Sequence, residues 1–274
     1  MPKGDDVTTS IALTIAGSDS GGGAGIQADL KTFSALGCFG ASVVTALTAQ
    51  NTRAVTKVEA ASLGMIQAQI DAIFDDLDIR AVKLGMLGGA DAIEAVACGL
   101  RDRAVPVVLD PVMVAKSGDT LLPAGAIATL RDRMLPLADL LTPNLPEAAR
   151  LLNTAIATTE AGAAAQGAAL RALGAKAVLM KGGHAEGPDC IDLLVTHDGV
   201  ARLSAPRQMT KNTHGTGCTL SAAVAAGLAQ GLPLSGAVRR AHDYLQRAIA
   251  AADALQVGRG HGPVHHFHAV WADD

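Results

Sequence analysis

The chain has few aromatic side chains, no excess of basic residues, no paired cysteines and no long apolar run. Aromatic residues make up 2% of its 274 residues, so the core must consist mainly of aliphatic side chains. Lys and Arg number 22 against 26 Asp and Glu, and the net charge of −4 argues against a general nucleic-acid-binding protein. No apolar run approaches the roughly 18 residues of a membrane-spanning helix. We therefore expect neither nucleic acid nor a membrane as a partner.

Cysteine usage and the N-terminal segment point to the cellular compartment. Cys38, Cys98, Cys190 and Cys218 are far apart and show no metal-site spacing, which in a chain of this length indicates reduced thiols. The N-terminal segment carries two acidic residues and no apolar stretch of a secretory signal. These features predict a cytoplasmic protein, with residues 1–10 forming a flexible N-terminal tail.

Short β-branched runs alternate with longer stretches rich in Ala and Leu. Strands are predicted at residues 11–16, 41–47, 81–84, 105–109, 137–141, 177–180, 191–196 and 200–203, the last two as a hairpin. Helices are predicted at residues 25–36, 62–77, 90–101, 123–133, 144–152, 158–173, 216–230 and 234–255. This alternation predicts an α/β fold, a mostly parallel sheet with helices on both faces. No linker divides the chain, so we interpret residues 1–274 as a single domain.

A glycine-rich turn follows the first strand, and its interpretation is open. Gly23-x-Gly25-x-x-Ala28 is similar to a dinucleotide fingerprint, which requires an acidic residue about 20 residues further on. No acidic residue occurs between Asp29 and Glu59, which argues against NAD binding and a dehydrogenase.

The same turn contains Asp-Ser-Gly-Gly at residues 19–22, an order found around the nucleophile of serine proteases. Those enzymes are β-barrels, which the predicted helices contradict. A purely structural turn and a substrate-facing turn remain, and the nearby polar Asp29 favours the second.

A second glycine-rich turn at residues 212–219 is followed by a helix with few charges. Gly215 and Gly217 would expose amide N–H groups at the positive end of the helix dipole, which predicts an anion-binding site. The chain contains no Gly-Lys dipeptide, so the turn is not a Walker loop. Cys218 would lie in the first helical turn, where we expect a thiol pKa below about 8.5. The alternative is a buried, inert cysteine.

The Gly-Thr-Gly turn opening a helix resembles that of the ribokinase-like small-molecule kinases, most of which have Asp where this chain has Cys218. Gly-Thr-Gly-Cys-Thr is typical of the hydroxymethylpyrimidine/phosphomethylpyrimidine kinase family of thiamine biosynthesis. The resemblance implies a ribokinase-like three-layer sandwich. It extends in order through residues 16–33, 45–52, 82–87, 109–113, 141–148, 180–184, 214–223 and 260–267.

This resemblance implies ATP-dependent phosphorylation of 4-amino-5-hydroxymethyl-2-methylpyrimidine and then of its monophosphate. Gly215, Gly217 and Lys181 would stabilise the transferred phosphoryl group, and Cys218 would assist deprotonation of the alcohol. Related kinases are often dimers, so the resemblance also implies a homodimer. The residues implied in pyrimidine binding are Gly17, Asp29, Gln50, Met86 and Val112. Those implied in nucleotide binding are Asp110, Asn144, Lys181, Thr213 and Thr216.

Magnesium is the implied cofactor, with Glu147 and Asp110 as its protein ligands. Mg²⁺ suits one or two carboxylates together with waters and phosphate oxygens. Glu147 has a second interpretation, because Asn144-x-x-Glu147 is also a helix capping box. Lys181 could alternatively be a solvated lysine at the end of a strand.

Three other functions stay open: a pyridoxal kinase, a dehydrogenase and a catalytically silent nucleotide-binding regulator. Pyridoxal also presents a hydroxymethyl group on a nitrogen heteroaromatic ring.

The four histidines at positions 261, 265, 266 and 268 could suggest a metal cluster. Pro263 disrupts helical spacing there and no Cys or acidic residue joins them, so we do not expect a zinc site.

Overall fold

A large sheet runs through the chain, which a computed structural model describes at residues 8–115, 118–119, 121–183 and 187–271. Within these residues, eight strands form the sheet in the order β10-β9-β8-β7-β6-β5-β1-β2, and β3 pairs with β4 in a small separate sheet. The strands are β1 (Ile11–Ala16), β2 (Phe39–Val44), β3 (Ala46–Gln50), β4 (Val55–Ala60), β5 (Ile79–Leu84), β6 (Val107–Leu109), β7 (Leu140–Leu141), β8 (Val178–Met180), β9 (Asp189–Thr196) and β10 (Gly199–Pro206).

In the large sheet, neighbouring strands are parallel throughout β8, β7, β6, β5, β1 and β2. The predicted hairpin of β9 and β10 extends the other edge, where β9 is antiparallel to both β8 and β10. Because the parallel strands share one direction, their carboxyl ends meet at a single edge of the sheet. Polar residues placed just after each strand are therefore brought together there.

Helices cover both faces of the large sheet, which confirms the predicted three-layer architecture. Aliphatic cores fill both sides: α1, α7 and α8 pack on one face, and α2 to α6 pack on the other. The helices are α1 (Gly25–Ala35), α2 (Leu63–Asp76), α3 (Ala90–Leu100), α4 (Ala126–Thr129), α5 (Leu145–Leu152), α6 (Glu160–Ala172), α7 (Thr216–Ala229) and α8 (Leu234–Ala250). No helix in the described parts of the chain is both long and apolar enough to span a membrane.

Two predicted helix starts are confirmed in their capping chemistry. Ser62 accepts a hydrogen bond from the backbone N–H of Met65 at 3.2 Å and thereby begins α2. At the start of α5, the side chain of Asn144 accepts from the N–H of Glu147, and the carboxylate of Glu147 accepts from the N–H of Asn144, both at 2.8 Å. These reciprocal bonds satisfy N–H groups that the helix itself cannot.

The predicted strand at residues 41–47 is wrong in extent, because the chain changes sheets at Thr45. Its N–H donates to the carbonyl of Ala16 in the large sheet, and its hydroxyl donates to the carbonyl of Met86. The next residues leave as β3 and pair with β4, a strand that the sequence did not predict. β4 is exposed along almost all its length, so it lacks the apolar alternation by which a strand is recognised.

The N-terminal tail falls mostly outside the described residues, which begin at Thr8. Thr8 accepts a hydrogen bond from the guanidinium of Arg80 at 3.3 Å, and the carbonyl of Ser10 accepts one from the N–H of Phe39 at 2.9 Å. The last residues of the predicted tail are therefore tied to the sheet. The single-domain interpretation of residues 1–274 stays a prediction.

Candidate active site

A cavity of about 640 Å³ opens at the carboxyl edge of the sheet and is closed on one side by the start of α7. Strand ends and the second glycine-rich turn meet around it. The predicted site residues that line it are Asp110, Val112, Asn144, Glu147, Lys181, Thr213, Gly215, Thr216, Gly217 and Cys218.

Lys181 lies between two carboxylates at the floor of this cavity. Its ammonium donates to Oδ1 of Asp110 at 2.8 Å and lies 3.9 Å from Oε2 of Glu147. Burial lowers the pKa of Lys181, but the two carboxylates outweigh that effect and hold it above its usual value. Only 13% of the side chain is exposed, so the interpretation as a solvated lysine is wrong.

Glu147 is a helix-capping residue whose carboxylate also faces the cavity, and its role as a magnesium ligand stays a prediction. Its Oε2 caps the N–H of Asn144, and the same carboxylate lines the cavity beside Lys181. Burial raises the pKa of Glu147 to about 7; Lys181 opposes this rise, and Asp110 adds to it. The capping bond orients the carboxylate toward the cavity instead of removing it from the site.

The second glycine-rich turn presents the N-terminus of α7 to this charged cluster. Gly215 precedes the helix with a φ of 81°, a left-handed conformation that favours glycine. A Cβ placed on Gly217 would lie 3.3 Å from both the Asp110 carboxylate and the Lys181 ammonium. The first N–H groups of a helix have no partner within the helix. An anion at this terminus would therefore meet amide N–H groups and an ammonium together.

Cys218 lies in the first turn of α7, as predicted, but the expected lowering of its pKa is wrong. Burial raises the pKa of the thiol to about 11; the ammonium of Lys83 opposes this rise, and the carboxylates of Asp29 and Asp110 add to it. The backbone N–H of Gly25 acts to lower the pKa and does not offset the effect of burial. The helix-terminus effect is therefore smaller than the cost of placing a thiolate in this enclosed, partly acidic environment. At pH 7 the side chain is a neutral thiol.

We expect alkylation of Cys218 by iodoacetamide to be slow at neutral pH and to keep accelerating above pH 9, because only the thiolate reacts. Peptide mass spectrometry can follow the modification of Cys218 separately from that of Cys98, an exposed thiol that serves as the reference in the same sample. If the alkylation rate of Cys218 rises with pH through a midpoint below about 8.5, the thiol is activated as the sequence predicted.

The first glycine-rich turn is organised by Asp19. Oδ1 of Asp19 accepts from the N–H of Gly21 at 2.8 Å, and Oδ2 accepts from the N–H groups of Gly23 and Ala24 at 3.0 and 2.8 Å. His214 from the second turn donates to the same Oδ2 at 2.9 Å. A Cβ on Gly23 would lie 2.3 Å from the ring of His214. The contact between the two turns thus accounts for this glycine without a dinucleotide.

Three residues predicted to bind the pyrimidine lie beside the first turn. The N–H of Gly17 donates to the carbonyl of Met86 at 3.0 Å, and a Cβ on Gly17 would lie 2.1 Å from the methyl group of Met86. Gln50 exchanges hydrogen bonds between its backbone and the hydroxyl of Ser20, each at 2.8 Å. Their roles toward a ligand stay predictions.

Asp29 does not line the cavity. Its side chain is fully buried, and its Oδ2 accepts from the hydroxyl of Thr14 at 2.6 Å and from the ammonium of Lys83 at 2.8 Å. A direct contact with substrate would require this ion pair to rearrange, so the assignment of Asp29 stays a prediction. Lys83 was not among the predicted site residues, although a lysine within the otherwise apolar end of β5 was an available signal.

The histidine-rich C-terminal segment packs against α7. The ring of His266 lies 3.1 Å from the hydroxyl of Thr219, and burial lowers the pKa of His266 to about 3, which makes it neutral. Among the residues whose positions are described, no three His, Cys, Asp or Glu side chains are grouped to hold a metal ion. His184, the last residue of the 180–184 segment, lies outside the described residues.

Together, a parallel sheet covered on both faces, an anion-binding turn before α7 and a buried lysine at a strand end define a ribokinase-like small-molecule kinase. Comparison with known proteins narrows this class. The model of the phosphomethylpyrimidine kinase family matches residues 19–265, and the chain belongs to that family.

Individual relatives agree with this assignment. A hydroxymethylpyrimidine/phosphomethylpyrimidine kinase of Rhizobium meliloti is 59% identical, over 97% of this chain and 100% of that protein. A thiamine biosynthesis bifunctional protein of Geobacter sulfurreducens is 50% identical over 94% of this chain, which spans 52% of that longer protein. The solved ADP complex of Bacillus subtilis pyridoxal kinase is 35% identical with a TM-score of 0.88, over 96% of this chain and 99% of the other.

Proposed function

We propose that this chain phosphorylates 4-amino-5-hydroxymethyl-2-methylpyrimidine with ATP and then phosphorylates the monophosphate, producing the pyrophosphate for thiamine biosynthesis. The observation that carries the proposal is the buried Lys181 ammonium directly beside Gly217 at the start of α7. The near full-length match to the Rhizobium kinase supports the choice of substrate.

Phosphoryl transfer requires mainly positioning and positive charge around the moving group. The N–H groups at the start of α7 and the ammonium of Lys181 supply that charge on one side of the cavity. Because the transition state is loose, little proton abstraction from the attacking alcohol is needed before it is reached. A neutral Cys218 thiol is compatible with this chemistry. We propose that Cys218 contributes through its backbone amide and that its neutral thiol does not act as a base.

The donor set fits a magnesium ion. Asp110 and Glu147 bring two carboxylates to the cavity, and Mg²⁺ takes few protein carboxylates together with waters and phosphate oxygens. In the protein alone, the single Lys181 ammonium only partly neutralises these two carboxyl groups. We propose that Asp110 and Glu147 hold the ion, which would neutralise charge on the ATP phosphates.

An ATP-consumption assay with the hydroxymethylpyrimidine, its monophosphate and pyridoxal, each with and without magnesium, tests this function. We expect magnesium-dependent turnover of both pyrimidines and a higher kcat/KM for the hydroxymethylpyrimidine than for pyridoxal. The structural likeness to a pyridoxal kinase makes pyridoxal the alternative substrate. A preference for pyridoxal would overturn the proposed substrate, and no turnover of any of the three would favour a regulator.

Replacement of Gln50 by alanine should raise the KM for the pyrimidine roughly 5- to 150-fold, the effect of losing about 1–3 kcal/mol of hydrogen bonding. The KM for ATP should stay nearly constant, because Gln50 lies beside the first turn and does not line the cavity that contains Lys181. Steady-state kinetics against each substrate measures both values. The control is Gln67→Ala, which removes an amide that donates to Asp71 at the surface of α2. An equal rise in both KM values would contradict the assignment.

We also propose that the protein is a homodimer in the cytoplasm. Leu47 of β3, Val58 of β4 and Met65 of α2 are 60%, 49% and 56% exposed, and a second copy would cover such apolar side chains. All four cysteines are free thiols, which suits a reducing compartment. Sedimentation equilibrium should give twice the mass of the chain, and a monomer throughout the micromolar range would contradict the dimer.

A further inference from the structure

The two glycine-rich turns are joined by a buried hydrogen bond between the side chains of His214 and Asp19. Nε2 of His214 lies 2.9 Å from Oδ2 of Asp19, and the two side chains are only 10% and 2% exposed. Burial raises the pKa of Asp19, but hydrogen bonds from His214 and from two backbone amides hold it below its usual value. Asp19 is therefore a carboxylate, and the ring nitrogen of His214 is the donor.

Each member of the pair is fixed to its own turn. Asp19 accepts three backbone N–H groups between residues 21 and 24, so its position sets the shape of the first turn. His214 is held on the other side, because its N–H donates to the carbonyl of Gly262 at 3.0 Å and its carbonyl accepts from Val264 at 3.2 Å. Displacement of either turn relative to the other would therefore strain the hydrogen bond between the two side chains.

The turns also touch directly, with no space between them. A Cβ on Gly215 would lie 1.9 Å from the carbonyl oxygen of Gly23, and one on Gly23 would lie 2.3 Å from the ring of His214. Close-packed contacts of this kind transmit displacement instead of absorbing it. A shift of the first turn must therefore reach the residues that begin α7.

The pair lies between the two halves of the proposed site. The first turn is bonded to Gln50 through Ser20 and leads from Gly17, which contacts Met86; all are on the predicted pyrimidine side. The second turn carries Gly215 and Gly217 on the phosphate side. We propose that Asp19 and His214 are a positioning pair that couples occupancy of the pyrimidine side to the geometry of the phosphate-binding turn. This inference rests on the proposed function for the location of the pyrimidine.

The test compares His214→Leu, which removes the donor, with His214→Gln, whose amide can still donate to Asp19. The affinity for a non-hydrolysable ATP analogue is measured by calorimetry with and without the hydroxymethylpyrimidine, beside steady-state kinetics. In the wild type the pyrimidine should tighten binding of the analogue. In His214→Leu we expect this tightening to disappear and kcat to fall about 10- to 100-fold, as for a displaced phosphate-binding group. His214→Gln should retain most of the tightening and most of the wild-type kcat.

The matched control is His197→Leu at the turn between β9 and β10, where a second His–Asp pair is 3.0 Å apart but about 80% exposed. It should change neither quantity. Thermal unfolding of each variant separates loss of coupling from loss of fold. If His214→Leu does not fold, the isosteric Asp19→Asn decides, because an amide has a single acceptor oxygen and cannot accept from His214 and from the N–H groups of Gly21, Gly23 and Ala24 together. We expect it to lose the tightening as well.

Three results would overturn the inference: tightening that survives in His214→Leu or in a folded Asp19→Asn, no tightening in the wild type, or equal losses in the Leu and Gln variants. Failure of the proposed function would give a different result in the activity assay. The wild type would then phosphorylate pyridoxal and not the pyrimidine, and the same coupling would be measured with pyridoxal.

Discussion

Lys181→Ala is expected to lower kcat by about 10²- to 10³-fold, with a much smaller change in the KM for ATP. The ammonium lies beside Gly217 and is held by Asp110 at 2.8 Å, so it is already oriented before substrate arrives. Its interaction with the phosphoryl group strengthens as charge develops during transfer. Removing it also leaves Asp110 and Glu147 without their compensating cation.

Lys176→Ala is the matched control for this experiment. Lys176 lies just before β8, pairs with Asp139 at 2.7 Å and is 70% exposed, so its removal should leave kcat unchanged. Initial rates at saturating magnesium, over a range of ATP concentrations, provide both parameters. A wild-type kcat in Lys181→Ala, or a loss confined to the KM for ATP, would remove Lys181 from transition-state stabilisation.

Gly215→Ala should destabilise the protein by about 2–4 kcal/mol, combining left-handed backbone strain with overpacking. It should also lower kcat by about 10²-fold or more, because the new methyl group must push the turn away from the carbonyl of Gly23. Urea unfolding and steady-state kinetics measure the two effects.

The other end of α7 offers a control with the same backbone conformation. Gly231 has a φ of 82°, close to the 81° of Gly215, but a Cβ there would meet no atom within 4 Å. Gly231→Ala should therefore cost only about 1 kcal/mol of stability and leave kcat intact. If the two variants lose the same stability and the same activity, backbone strain alone explains Gly215 and the contact with Gly23 is irrelevant.

Local sequence patterns predicted the elements whose signals are local. The reciprocal capping of Asn144 and Glu147 depends on two residues three apart, and it appears in the structure as the sequence indicates. The change of sheets at Thr45 could not be predicted in this way. It depends on hydrogen bonds to Ala16 and Met86, which are distant in sequence. An apolar run also has the same pattern whether it stays in one sheet or continues into another.

In the candidate site, too, the features with local signals were predicted and those that depend on distant residues were not. The glycines before α7 and the lysine after β8 are visible as motifs, and the structure places them in one cavity. The pKa of Cys218 was predicted from its place at a helix terminus, a local property. Its pKa depends on Lys83, Asp29 and Asp110, which come from three distant parts of the sequence. Asp19 and His214 likewise come from distant parts of the chain, so no local pattern predicts that they form a hydrogen bond.

The burial of α7 has a consequence for the energetics of the reaction. From Thr219 to Gly227 every residue of this helix is buried, and a Cβ on Gly227 would lie 2.8 Å from that of Ala237 in α8. The peptide dipoles that end at Gly215 are therefore locked in direction by a close-packed interior. Water around a phosphate must reorient as charge shifts, whereas these dipoles are already aligned and incur little reorganisation energy during transfer. The alanine-rich composition of the helix, which permits this packing, thus contributes to the electrostatics at its N-terminus.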